Sequence, residues 1–121
     1  MKISIIKSDG INIAMVENED ILIKDVQSAL DLAVNILYEY DCSRIIIRKE
    51  LVIRDFFILS SRLAGDILQK YSNYKIKIAI VGDYSKYTSK PLKDFIYESN
   101  KGKDFFFVST VEEAIDKLRQ K

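Results

Sequence analysis

The chain has 121 residues, of which 48% are hydrophobic, and its formal net charge is +1. This length predicts one domain spanning residues 1–121, and the near-neutral charge argues against nucleic acid or a membrane surface as the partner. No apolar run is long enough to span a bilayer. The chain has no histidine and a single cysteine, Cys42, which removes the commonest general base and excludes an intrachain disulfide. We expect a protein of the reducing cytoplasm.

The first predicted elements are a β-hairpin and a helix. Two β runs at residues 2–7 and 11–16 flank Asp9-Gly10, and Asp-Gly between two such runs is a strong hairpin signal. Asp25 is a good N-cap for a helix that reaches about Tyr40, with apolar residues at helical spacing along one face. The N-terminal third is therefore predicted as strand, turn, strand and helix.

The middle of the chain predicts a third strand and a second helix. Residues 44–48 read Arg-Ile-Ile-Ile-Arg, a short strand with an apolar centre. The second helix is predicted over residues 55–72, with Asp55 at its start. Its inner face has apolar residues at helical spacing, namely Phe56, Leu59, Leu63, Ala64, Ile67 and Tyr71.

The last third alternates strands with helices. A strand at residues 75–81 is followed by a helix whose first turn contains Pro91. A strand at residues 105–108 precedes a final helix that Thr110 caps, with Glu113 three positions later. The sequence therefore predicts an α/β fold, in which an N-terminal β-hairpin is followed by β-α repeats. We expect a mixed, mostly parallel sheet of about five strands with about four helices.

Both faces of this sheet are predicted to be apolar. In the last strand, Phe105 and Phe107 point to one face, while Phe106 and Val108 point to the other. If all crossover helices lie on one side, the second face needs cover from the chain's own elements or from another subunit. We predict a homodimer on this basis.

Several segments resemble a bacterial family of uncharacterised domains of about this length. They are residues 22–32, 55–57, 63–70 and 94–102, so the resemblance covers nearly the whole chain. That family has no assigned function, and the resemblance therefore implies no activity, ligand or cofactor.

A looser resemblance is to the STAS domain, the fold of anti-sigma-factor antagonists, and it rests on the elements of residues 78–118. STAS antagonists carry a phosphorylatable serine at the start of their second helix, in an Asp-Ser-Ser-Gly-Leu-like sequence. Residues 59–63 read Leu-Ser-Ser-Arg-Leu, without that aspartate and glycine, and the resemblance marks Ser60 and Ser61 as candidate phospho-acceptors. The alternative is that Ser60 lies within the apolar face of a helix that Asp55 caps.

A ligand or partner surface is predicted at the carboxyl ends of the parallel strands. In open α/β sheets ligands bind in the crevice outside those ends, and nearby helix N-termini add partial positive charge. We expect an anionic ligand or an acidic partner loop there; the alternative is that the polar residues only form turns and caps. The candidate residues are Glu50, Asp55, Asp83, Tyr84, Ser85, Lys86, Tyr87 and Lys90.

Residues 84–103 interleave five lysines with three tyrosines, a pattern that can bind nucleic acid. Asp94, Glu98 and Asp104 dilute this charge, and we interpret the lysines as the solvated face of a helix. No nucleic-acid partner is therefore predicted. The chain has no CxxC, metal-ligand spacing, P-loop or GxGxxG motif, so no metal, cofactor or catalytic residue is predicted either.

The sequence favours a non-enzymatic regulatory or protein-interaction module of the bacterial cytoplasm. This interpretation rests on the absence of common catalytic groups and on analogy of fold. The alternative is a small anionic ligand-binding domain at the carboxyl ends of the parallel strands. A third hypothesis is an enzyme that uses carboxylates or tyrosines alone, which requires two carboxyl groups within hydrogen-bond reach in a buried pocket.

Overall fold

One mixed β-sheet forms the centre of the computed structural model, which describes residues 1–120. Its strands are β1 (Lys2–Ser8), β2 (Ile11–Glu17), β3 (Arg44–Arg48), β4 (Lys77–Val81) and β5 (Phe105–Val108). Their spatial order is the chain order. β1 and β2 pair antiparallel, and the three later pairings are parallel, as predicted.

In the described part of the chain, four α-helices complete the predicted α/β fold. They are α1 (Val26–Tyr40), α2 (Leu63–Asn73), α3 (Lys90–Lys101) and α4 (Val111–Leu118). Within residues 1–120, none of the helices has both the length and the apolar character that crossing a membrane requires.

The N-terminal hairpin forms because its turn residues adopt left-handed backbone angles. Asp9 and Gly10 have φ angles of 52° and 78°, and a two-residue hairpin turn with positive φ at both positions matches the twist of the strands. The register places Ile6 opposite Ile13. The hairpin prediction is therefore confirmed, and β1 forms one edge of the sheet.

Side chains cap the starts of three helices. For α1, Asp25 Oδ1 accepts a hydrogen bond from the Ser28 N–H at 2.7 Å, and Ser28 Oγ accepts one from the Asp25 N–H at 3.0 Å. Ser89 and Thr110 cap α3 and α4 by accepting from the backbone N–H three residues later. These bonds satisfy donors that a helix start otherwise leaves without a partner.

Different helices cover the two faces of the sheet. On one face, α1, α2 and α3 pack over the buried side chains of Ala14, Val16, Ile45, Ile47, Ile78, Ile80 and Phe107. On the other face, α4 packs with Ala114 and Leu118 against a second layer of Ile13, Ile46, Ala79, Val81, Phe106 and Val108. The chain therefore covers much of its second face with its own last helix. Homodimerisation stays a prediction. The need to cover the second face is no longer a reason to expect it, because α4 packs there.

The second helix was predicted to begin at Asp55, and this prediction is wrong. Short 3-10 turns occupy Arg54–Phe57 and Leu59–Ser61, and α2 begins only at Leu63. Asp55 is exposed within the first of these turns. The start of α2 is therefore eight residues later than the apolar spacing indicated.

Two local features accompany the late start of α2. Arg62 has a φ of 65°, which lies outside the right-handed helical region. The carbonyl oxygen of Asp55 accepts from the Ile58 N–H at 3.1 Å, which is a 3-10 bond, and from the Ser61 hydroxyl at 2.7 Å. Ile58 has extended backbone angles between the two turns, so Phe56 and Leu59 do not lie on one continuous helix.

Candidate functional site

The loops that follow β3 and β4 meet at the carboxyl edge of the sheet, as predicted. The Gly82 N–H donates to the carbonyl oxygen of Val108 at the end of β5, at 2.9 Å. A Cβ atom on Gly82 would lie 2.6 Å from Cβ of Lys49, so the Lys49 side chain packs directly on the glycine backbone. The ends of three parallel strands therefore meet at one edge.

A short parallel bridge brings the segment after β2 to the same edge. Ile23 pairs with Val52, and the Ile53 N–H donates to the carbonyl oxygen of Ile23 at 2.9 Å. The Leu51 carbonyl oxygen accepts from both Leu22 and Ile23. This bridge fixes the position of Ile21 beside the loop that follows β3.

An aromatic cluster lies beneath the edge. The Phe57 ring stacks on Tyr87 at a centroid distance of 5.4 Å and packs against Tyr84 at 6.0 Å. Phe107 of β5 lies below, 6.2 Å from Phe57. These rings connect the 3-10 turn of residues 54–57 to the loop after β4, so tertiary packing holds Phe57 in this position.

A lysine ammonium lies over this cluster. Lys49 Nζ is 4.9 Å from the centroid of the Tyr87 ring and 5.7 Å from that of Phe57. Cation–π contact of this kind is worth about 0.5–1 kcal/mol at exposed sites. The positive charge of Lys49 therefore lies over the aromatic cluster, at the carboxyl ends of the strands.

Two adjoining grooves run across this edge, each with a volume of about 310 Å³. They share three lining residues, Arg54, Phe57 and Tyr87. We call them together the carboxyl-edge groove. Its other lining residues are Ile58, Lys86, Thr88, Ser89 and Leu92 on one side, and Ile21, Lys49, Glu50 and Val52 on the other.

Two exposed isoleucines flank the carboxyl-edge groove. Ile58 is 51% exposed and Ile21 is 39% exposed. Lone exposed apolar residues are ordinary, but these two lie on opposite sides of a groove that aromatic rings line. The site therefore offers apolar contact area with cations around it.

Two titratable groups at the edge, Asp83 and Tyr84, have shifted pKa values. Burial raises the pKa of Tyr84 above its ordinary value, and Tyr87 and Glu50 raise it further. The Tyr84 hydroxyl donates to the carbonyl oxygen of Ile80 at 2.7 Å. Hydrogen bonds from Ser85 lower the pKa of Asp83. Tyr84 therefore acts as a hydrogen-bond donor to the backbone and Asp83 as a turn-forming carboxylate.

The structure brings together only part of the predicted surface. Glu50, Lys86 and Tyr87 line the carboxyl-edge groove, and Asp83, Tyr84 and Ser85 belong to the adjoining loop. Asp55 and Lys90 are absent from the groove lining. Lys90 Nζ instead pairs with Asp94 at 2.7 Å within α3.

Ser60 and Ser61 are both exposed just before α2. The expectation that Ser60 is buried in a helix face is therefore wrong, because that helix does not extend to it. The Ser61 hydroxyl also accepts from the Leu63 N–H at 3.2 Å, so it bridges the turn and the first residue of α2. Phosphorylation at either serine stays a prediction.

The predicted candidate residues did not include several residues of the groove, namely Ile21, Lys49, Arg54, Phe57 and Ile58. One signal was available in the run Phe56-Phe57-Ile58. Three consecutive apolar residues cannot all face the inner side of one amphipathic helix. Phe56 and Phe57 are buried, and Ile58 is left at the surface.

The fold and the edge together define an α/β sheet protein with an aromatic and cationic groove at the carboxyl ends of its parallel strands. The chain belongs to a family described as Domain of unknown function (DUF4180), whose model matches residues 8–118. Membership confirms the expected uncharacterised family, and a bacterial origin and a STAS-like relation stay expectations. No curated protein and no solved structure matches the chain significantly.

Proposed function

We propose that the chain is a non-enzymatic protein-interaction module that binds a partner segment in the carboxyl-edge groove. The partner segment combines apolar side chains with acidic ones. The observation that carries this proposal is the exposure of Ile58, which is 51% accessible beside a groove lined by Phe57 and Tyr87. We expect this module to act as one domain in the cytoplasm.

The composition of the groove supports a protein partner. Tyrosine and arginine are among the residues that contribute most to protein–protein binding energy, and phenylalanine is enriched in interface cores. Tyr87, Arg54 and Phe57 line both halves of the groove. A partner side chain placed between Ile58 and Tyr87 would be shielded from water on two sides.

Charge complementarity supports an acidic segment. Lys49, Arg54 and Lys86 line the groove, and Glu50 is the carboxylate among its lining residues. Within residues 1–120, none of these three cations forms an ion pair. A partner with Asp or Glu beside its apolar residues would therefore gain attraction and faster association.

Peptide selection tests the proposal without a known partner. A random peptide library displayed on phage would be selected on the immobilised protein, and enriched peptides measured by fluorescence polarisation. We expect enriched peptides to carry aromatic or aliphatic residues flanked by Asp or Glu. Failure to enrich any peptide, or enrichment of basic peptides only, would contradict the proposal.

Matched variants locate the binding. Ile58→Ser should lower the affinity for the selected peptide by about tenfold, as expected for loss of an important interface side chain. Tyr74→Ser is the control, because Tyr74 is 50% exposed but lies outside the groove. Arg54→Gln should also weaken binding, with Lys70→Gln as its charge control. Equal effects in the test and control variants would place the peptide elsewhere.

A small anionic ligand is the second candidate for the same groove. Each half has a volume of about 310 Å³, and Lys49, Arg54 and Lys86 supply cations. A thermal-shift screen of anionic metabolites separates the two functions, since a ligand at a hundredfold its Kd adds about 2.7 kcal/mol of stability. A shift that Arg54→Gln abolishes, without peptide binding, would favour the ligand.

A further inference from the structure

A separate cavity of about 180 Å³ lies at the amino ends of β4 and β5. We call it the amino-edge cavity. Lysine side chains dominate its lining, and among residues 1–120 no Asp or Glu lines it; the lining includes Lys77, Lys101, Lys103, Lys117, Phe106 and Gln120. It lies across the sheet from the carboxyl-edge groove and shares no residue with it.

Two of the lysines are held at the cavity by defined contacts. Lys77 Nζ donates to the carbonyl oxygen of Lys103 at 2.7 Å and to Asp104 Oδ1 at 3.1 Å. An ammonium has three donors, so one N–H of Lys77 is left for a ligand. Lys117 Nζ lies 5.8 Å from the centroid of the Phe106 ring, which places its charge over a residue of the cavity lining.

The other two lysines of the lining differ in their contacts: Lys101 has nearby partners in α3, and Lys103 forms no ion pair among the described residues. Lys101 Nζ is 3.8 Å from Glu98 and 4.3 Å from the Tyr97 ring, so its ammonium lies toward α3. Lys103 forms no ion pair within residues 1–120. Lys77, Lys103 and Lys117 therefore concentrate positive charge at the cavity, and within residues 1–120 the carboxylate that pairs with one of them is that of Asp104.

The cations that line the cavity are lysines. The arginines nearest this edge are occupied: Arg44 donates to the carbonyl oxygens of Leu118 and Gln120, and Arg119 pairs with Asp116 and Asp9. The cavity is left with ammonium groups, which act as compact point charges. Arginine and lysine both bind phosphate, and lysine does so as a point charge without needing a planar partner. A compact, highly charged anion therefore suits this cavity of about 180 Å³.

We propose that the amino-edge cavity binds a small phosphate-type anion, either free or as the phosphate group of a small molecule. Lys77, Lys103 and Lys117 supply its charge contacts, and the side chain of Gln120 adds an amide at the cavity wall. This site does not depend on the function of the carboxyl-edge groove.

Calorimetric titration tests the proposal with defined probes at about 150 mM salt, where exposed charges are largely screened. The probes are inorganic pyrophosphate, glycerol 3-phosphate and citrate. We expect saturable binding of at least one phosphate probe with a stoichiometry of one, and weaker binding of citrate. Binding of pyrophosphate without binding of glycerol 3-phosphate would indicate a free anion. Binding of glycerol 3-phosphate would indicate a phosphate carried by a small molecule.

Paired variants with equal charge loss show whether the cavity is the site. The double variant Lys103→Gln/Lys117→Gln should lower the affinity for the phosphate probe by about tenfold or more, because two charge-assisted contacts are lost. Lys7→Gln/Lys93→Gln, outside the cavity, should leave the affinity within about twofold. Amide NMR shifts should centre on Lys103, Phe106 and Gln120. Absence of saturable binding, tighter citrate binding, or equal loss in both double variants would overturn the proposal.

Discussion

Gly82 controls the shape of the carboxyl-edge groove through a single close contact. The Cβ atom of an alanine there would lie 2.6 Å from Cβ and 2.8 Å from Cδ of Lys49. Cβ of Lys49 is fixed to the backbone, so the whole lysine stem must shift, and with it the ammonium over Tyr87. The absence of a side chain at position 82 therefore allows the cation–aromatic arrangement to form.

We predict that Gly82→Ala lowers the free energy of unfolding by about 1–3 kcal/mol, the usual cost of overpacking. Urea unfolding measures it. Gly65→Ala is the control, because nothing lies within 4 Å of a Cβ there and Gly65 is within α2. The free energy of unfolding of Gly65→Ala should rise by about 0.5–1 kcal/mol, because alanine has the higher helix propensity. A neutral or stabilising Gly82→Ala would show that the lysine contact is not tight.

Tyr84 contributes a hydrogen bond to the strand below it. Its hydroxyl donates to the carbonyl oxygen of Ile80 at 2.7 Å in a partly buried setting. We predict that Tyr84→Phe lowers the free energy of unfolding by about 1 kcal/mol, the typical net value of such a bond. Tyr97→Phe, at an exposed position of α3, should have no measurable effect. Equal unfolding midpoints for Tyr84→Phe and the unsubstituted protein would contradict this role.

Asp25 gives the stability of the protein a defined pH dependence. Hydrogen bonds from Ser28, the backbone N–H first and the side chain second, lower the pKa of Asp25. A carboxyl whose pKa is lower in the folded state stabilises the fold above its unfolded pKa. This contribution is lost as pH falls through the folded pKa.

We therefore predict that Asp25→Ala is less stable than the unsubstituted protein at neutral pH, and that the difference shrinks as pH falls below about 4. Urea unfolding across a pH series measures this. Asp20→Ala should show no such convergence, since Asp20 has no part in the α1 cap. A pH-independent difference for Asp25→Ala would contradict the capping account.

At the scale of elements, α4 decides whether the second face of the sheet is covered. Leu118 and Ala114 of this helix are fully buried against the sheet. Arg44 donates to carbonyl oxygens at the end of α4, so β3 also holds the helix end in place. The last helix is thus fixed to the sheet by apolar packing and by a side-chain cap.

We predict that Leu118→Ala lowers the free energy of unfolding by about 2–5 kcal/mol, because a fully buried leucine is lost from a packed layer. Ile115→Ala should cost less, since Ile115 is only partly buried. Chemical unfolding measures both, and binding of a hydrophobic dye would report exposure of the second face. Equal costs for the two variants would show that α4 does not pack as described.

The elements with local signals were predictable from the sequence. Asp9-Gly10 specified the hairpin through its backbone preference, and Asp25 and Thr110 specified helix starts through their side-chain oxygens. The segment of residues 54–62 was not predictable in the same way. Its form depends on the packing of Phe57 against Tyr84 and Tyr87, which are far away in the chain.

For the whole molecule, the position of the candidate site was predictable and its composition was not. Parallel strands place their following loops at one edge, which brought Glu50 and Tyr87 together. Ile58 and Arg54 joined them only because α2 begins late and leaves an exposed turn in front of it. Ile21 joined them through the bridge between Ile23 and Val52, which involves single residues and has no periodic signal.

The molecule thus carries two candidate sites of different chemistry at opposite edges of one sheet. The carboxyl-edge groove combines aromatic rings, exposed isoleucines and cations, which suits a peptide segment. The amino-edge cavity is small and lined by lysines, which suits a compact anion. Because the two share no lining residue, variants at one edge should leave binding at the other unchanged.

The most direct test of the interaction proposal is an NMR titration of the isotope-labelled protein with a selected acidic and apolar peptide. We predict saturable amide shifts concentrated at Ile21, Glu50, Phe57, Ile58 and Tyr87, with loss of these shifts in Ile58→Ser. Shifts concentrated at the amino ends of β4 and β5, or shifts unchanged by Ile58→Ser, would contradict the assignment of this groove as the partner surface.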